Sequence, residues 1–121
     1  MPEFWFDHIH LRSREPVKTA EFYEQMFNAK RISMRDEGDG RARVKLDLNG
    51  ITILINQTEE GTPTGLVHFG IRTDRLDEAV ETMKKGGANF TRDIREVRPD
   101  FKMSFLVAPE DVSIELQEGQ F

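Results

Sequence analysis

The chain has 121 residues, a formal charge of -5 and no cysteine. That length fits one compact domain, and the acidic balance argues against a nucleic-acid partner, which needs clustered Lys and Arg. Without thiols there can be no disulfide, no thiol nucleophile and no thiolate metal site, which leaves His and carboxylates as the strong ligands.

Charged residues at 32% and apolar residues at 37% suit a soluble globular protein. The apolar stretches are far shorter than a membrane span. The N-terminus carries Glu3 and lacks a basic, apolar leader pattern, so a cytoplasmic protein is expected.

The first strand is expected over Phe4–Arg12. Successive strand side chains point to opposite faces, so His8 and His10 share a face with Phe6, while Ile9 and Leu11 turn toward a helix-packed core. Ser13 then reads as the cap of a helix, with Pro16 in its first turn and Asn28 as a left-handed terminator. Val17, Ala20, Phe22 (or Tyr23) and Phe27 recur at helical spacing as its inner face. Strands follow over 30–36 and 41–48, split by the hairpin chemistry of Glu37-Gly38-Asp39-Gly40. Val44, Leu46 and Leu48 alternate with Arg43, Lys45 and Asp47, the mark of a sheet with one polar face. Asn49-Gly50 is a two-residue turn into a strand over 51–56.

Residues 59–65 are turn-rich and read as a linker. Beyond it comes a strand over Leu66–Arg72, then a helix capped by Thr73-Asp74. That helix carries Leu76, Ala79, Val80 and Met83 inward and ends at Gly86-Gly87. Strands over 89–97, 102–108 and 112–117 complete the chain, with a last turn at Pro109-Glu110-Asp111.

The order strand, helix, three strands therefore occurs twice. An offset of about sixty residues sets His8 over His68, and one residue more sets Gly50–Ile55 over Asp111–Leu116. The expected fold is α+β. Two tandem βαβββ modules (about 4–58 and 66–118) form one domain with a cup-shaped mixed sheet and helices outside. If the halves pack about an approximate two-fold axis, His8 and His68 converge and Glu115 completes a two-histidine, one-carboxylate face. Such a face suits a divalent first-row ion and leaves positions open for water or substrate.

Asp7-His8-Ile9, Thr19–Tyr23, Val67–Ile71 and Pro109–Leu116, in this order, resemble the vicinal oxygen chelate superfamily. Its members include glyoxalase I, methylmalonyl-CoA epimerase, extradiol dioxygenases, and fosfomycin- and bleomycin-resistance proteins. The resemblance spans nearly the whole chain. It implies His8, His68 and Glu115 as ligands of Fe, Mn, Ni, Co or Zn, with His8 preferred over His10 by its distance to Phe22-Tyr23. It also implies a small-molecule substrate with neighbouring oxygens and a homodimer.

Lyase or isomerase chemistry, with Glu115 also moving a proton, is the first expectation. A dioxygenase is the second, and a metal-free protein that sequesters a small molecule is the third. The isomerases carry one more carboxylate near the end of the first half, where this chain has Leu54.

His10 is either a general base beside the ligands or a strand histidine satisfied by a hydrogen bond. Arg95, Arg98 and Lys102 either meet an anionic substrate or line a solvated strand edge. Phe101, with Trp5, Phe6 and Phe105, either lines a pocket or packs. Asn56 and Gln57 orient substrate or cap a strand end. Arg98, Phe101 and Asn56 are taken as the substrate-binding candidates.

Overall fold

The structure, a computed structural model, describes residues 1–36, 41–59 and 61–120. Among the described residues there are eight strands, two α-helices and one 3-10 turn. The chain divides into two compact units, one of His8–Val67, the other of Met1–Asp7 with His68–Phe121. Strand β1 (Phe4–Ser13) begins in the second unit and ends in the first.

In the His8–Val67 unit, α1 (Pro16–Phe27) is followed by β2 (Lys30–Arg35), β3 (Arg43–Leu48) and β4 (Ile51–Gln57). The sheet order is β2-β3-β4-β1, with β1 parallel to β4 and the other pairs antiparallel. The alternating apolar residues Val44, Leu46, Ile53 and Ile55 are buried with Ala20 and Ala29, and Leu11, Val17, Tyr23 and Leu48 pack around them. Positive φ at both Asn49 and Gly50 makes the tight β3–β4 turn expected of an Asn-Gly pair. The expected Glu37–Gly40 hairpin lies outside the described residues.

Asn28 ends α1 in the left-handed conformation. Its N–H donates to the Glu24 carbonyl and the Ala29 N–H to the Tyr23 carbonyl, so the last turn is closed by its own backbone. Two expectations for α1 are corrected. Ser13 is the last residue of β1 and not the cap. Its hydroxyl accepts the Glu15 N–H and bonds Thr19 Oγ1 at 2.6 Å, so it closes the strand-to-helix corner two residues before the helix boundary. Phe22 and Phe27 are 52% and 55% exposed, because the inward stripe runs through Val17, Ala20 and Tyr23.

The second unit repeats the pattern with β5 (Gly65–Thr73), α2 (Leu76–Lys85), β6 (Asn89–Arg98), β7 (Phe101–Ala108) and β8 (Val112–Glu118). Its sheet order is β5-β8-β7-β6, again with its first and last strands parallel. Leu76, Ala79, Val80 and Leu116 form its core, and Met83 packs on it as the helical spacing requires.

Thr73 is the end of β5, and α2 has no side-chain cap from its own N-terminal segment. The Leu76 N–H is instead met by Glu118 Oε1 at 2.8 Å, a long-range cap from β8 that supplies a negative charge to the helix start.

The two registers match. Ile9 sits opposite Ile53 as Phe69 sits opposite Ile114, and His10 opposite Leu54 as Gly70 sits opposite Glu115. Leu54 is thus the first-half counterpart of Glu115. No helix among the described residues is long and apolar enough to cross a membrane.

Candidate metal centre

Strand β5 presents His68 and β8 presents Glu115, and both side chains are buried. His68 Nε2 lies 3.3 Å from Glu115 Oε1. Phe105, the β7 residue directly opposite Glu115, sets its ring edge-on to His68 at 5.3 Å between centroids. An acid held this deep and beside an aromatic ring is costly unless a cation or donors compensate it. The imidazole beside it is one such group, and a metal ion is another.

His8, on β1 of the other unit, is also buried, opposite Thr52 on β4. With His68 and Glu115 it makes the candidate ligand set found among the described residues, each residue offering one ligand atom. Two imidazoles and a carboxylate fit a borderline divalent ion such as iron, manganese, cobalt, nickel or zinc.

Gln117, which no sequence motif marks, shares the Glu115 face by strand period and is fully buried. Its Nε2 donates to the Gly119 carbonyl at 3.1 Å, while its Oε1 has no hydrogen-bond partner among the described residues. The two-residue step from Glu115 was the available signal.

The other candidates fall in different surroundings. His10 is partly buried on the His8 face, beside buried Leu54. Asn56 is partly buried between Arg12 and Arg43 on the neighbouring strands. Phe101 is buried, and the Arg98 guanidinium lies over its ring at 5.2 Å. Arg98 also donates to Asp100 Oδ1 at 3.1 Å and to the Gln120 carbonyl at 2.6 Å.

Lys102 donates to Asp77 Oδ2 at 3.0 Å, and this bond holds its ammonium above the usual lysine range. Arg95 is exposed on β6, opposite Met103. In this structure the two cations flanking Phe101 are thus occupied by carboxylates of their own unit.

The sequence matches the model of the Glyoxalase/Bleomycin resistance protein/Dioxygenase superfamily over residues 5–116. No curated protein matches it significantly. Among solved structures, hypothetical protein BH1468 from Bacillus halodurans C-125 is similar at a TM-score of 0.78 and 19% identity, over 98% of this chain and 96% of that one. Methylmalonyl-CoA epimerase from Mycobacterium tuberculosis is similar at 0.73 and 17%, over 96% and 88%. A Streptomyces coelicolor methylmalonyl-CoA epimerase variant in complex with 2-nitronate-propionyl-CoA is similar at 0.67 and 19%, over 96% and 97%. At these identities the structures speak for the fold, and the family model speaks for membership. The chain belongs to the Glyoxalase/Bleomycin resistance protein/Dioxygenase superfamily.

Proposed function

We propose that His8, His68 and Glu115 hold one divalent ion and that the protein is a lyase or isomerase. Its substrate would be a small molecule with two neighbouring oxygens. The observation that carries this is the buried His68–Glu115 pair, 3.3 Å apart. Histidine and carboxylate buried together are the donor types such an ion takes, and the burial of His8 adds the third ligand.

Bound there, the ion supplies Lewis-acid polarisation of a carbonyl or hydroxyl oxygen. Around it, Glu115 fixes the charge of the site and His10 accepts or returns a proton from two residues beyond His8 on the same face. Asn56 orients the substrate from β4. The two modules act as one domain, the protein works as a homodimer in the cytoplasm, and exposed Phe4, Trp5 and Phe6 on one strand support a covering partner chain.

A second reading is favoured by Leu54. A buried leucine at the counterpart of Glu115 leaves a three-ligand set, which suits an extradiol-type dioxygenase.

The test is proton exchange in D2O, followed by NMR, with 2-substituted malonyl thioesters and hemithioacetals as probes for the purified protein. Metal-dependent deuterium incorporation next to a carbonyl supports the lyase/isomerase reading. Its absence, with oxygen uptake on catechols, moves the assignment to the dioxygenase.

A further inference from the structure

In the second unit, Gly70, Glu115, Phe105 and Arg92 are direct partners across β5, β8, β7 and β6, so Glu115, Phe105 and Arg92 project from one face of the sheet. Burial falls along this row: Glu115 is buried, Phe105 half-buried and Arg92 exposed. It leads from the His68–Glu115 pair out to solvent.

The side chains themselves are in contact. The Phe105 ring meets the His68 imidazole at 5.3 Å between centroids, and the Arg92 guanidinium carbon lies 5.5 Å from the centre of the same ring. One aromatic ring thus separates a guanidinium from a candidate metal ligand.

This placement needs a break in the ladder. Continued regularly from the Phe90–Leu106 pair, β6 would set Arg92 opposite Ser104, on the other face of the sheet. The register shifts between Phe90 and Arg92 and brings Arg92 opposite Phe105, then shifts again before Arg95. A bulge that re-aims a side chain in this way is a built feature.

Arg92 makes no hydrogen bond or ion pair among the described residues beyond its ring contact. Arg98 lies over Phe101 in the same manner, yet its donors are taken by Asp100 and the Gln120 carbonyl. Contact with a ring face leaves the N–H fork of Arg92 open to an acceptor.

We infer that Arg92 binds a carboxylate of the substrate, at the end of the molecule turned away from the chelating oxygens. This role for Arg92 rests on the metal site proposed for His8, His68 and Glu115. A single guanidinium fork matches one carboxylate in two-point geometry. The substrate class narrows to a small acid: neighbouring oxygens at one end, a carboxylate at the other, and a short chain between them, since one ring separates the two binding groups.

The test is calorimetric titration of the full-length protein, reconstituted with zinc, using 2-oxoglutarate and 2-oxovalerate as probes. Both present the same neighbouring oxygens, and only the first carries a distal carboxylate. 2-Oxoglutarate should bind about tenfold or more tighter. Arg92→Gln should remove that advantage and leave 2-oxovalerate unaffected, while Arg92→Lys should keep part of it, as charge without the fork. Arg95→Gln, an equal change of charge on the same strand, should leave the advantage intact.

Equal affinity of the wild type for the two probes overturns the assignment, as does an advantage that survives Arg92→Gln or is lost equally in Arg95→Gln. If no ion is retained, or neither probe binds, the metal site itself is refuted and the role of Arg92 with it.

Discussion

His68 Nε2 and Glu115 Oε1 lie 3.3 Å apart on adjacent parallel strands, with side chains only 9% and 4% exposed. Strand β5 carries the base and β8 the acid, so the pair is fixed by sheet register and not by loop conformation. Side chains held this way are preorganised for a ligand.

This pair should weigh on stability as well as on binding. His68→Ala leaves the Glu115 carboxylate buried without the imidazole beside it, at an expected loss of about 3 kcal/mol. Glu115→Gln, which removes the charge and keeps the shape, should cost clearly less. Chemical denaturation of the metal-free proteins measures both, and equal losses would contradict the argument.

Glu118 closes the start of α2 from a strand 42 residues away. Glu118→Ala should destabilise the protein by about 1 kcal/mol, the usual cost of a lost cap. Glu118→Gln, which still accepts the Leu76 N–H, should recover part of it. Hydrogen exchange should localise the loosening to the first turn of α2, and unchanged protection there would argue against the cap.

Gly119 has a φ of +87°, and a side chain there would run into the Asp100 carbonyl oxygen. Gly119→Ala combines left-handed strain with a backbone clash and should cost about 3 kcal/mol. Gly50 also has positive φ but open space around it, so Gly50→Ala should cost only about 1 kcal/mol. Thermal melts of the two variants separate strain alone from strain plus overlap.

The Glu3 N–H donates to Asp74 Oδ1 at 2.9 Å, and this bond holds the Asp74 carboxyl below the ordinary 3.8. A carboxyl whose pKa falls on folding adds stability that is present above the unfolded value. That stability is lost as pH drops through the folded value. The Asp74 side-chain carboxyl carbon should therefore titrate with a midpoint below 3.8, and the Glu3 amide should lose that component of its titration in Asp74→Asn. A midpoint at or above 3.8 would show that the bond does not form in solution.

Much of this was legible in the sequence because it depends on local period. The alternation at Val44–Leu48, the Asn49-Gly50 turn and the stripe of Leu76, Ala79, Val80 and Met83 each report a face without knowledge of the partner. The echo of His8 in His68 gave the repeat, and the matched registers at Leu54 and Glu115 bear it out.

What was missed depends on distance in the chain. Ser13 and Thr73 have cap chemistry, yet both lie inside strands, and α2 is capped by a residue that no local window contains. The carboxylate partners of Arg98 and Lys102 likewise come into view only in the folded chain.

Elemental mass spectrometry of the purified protein, beside His8→Ala and His68→Ala, tests the three-residue metal site. The wild type should carry about one divalent ion per chain and either variant roughly a tenth of that or less, since each loses one of three ligands. Wild-type protein that stays metal-free after reconstitution, or variants that keep their full metal content, would contradict it.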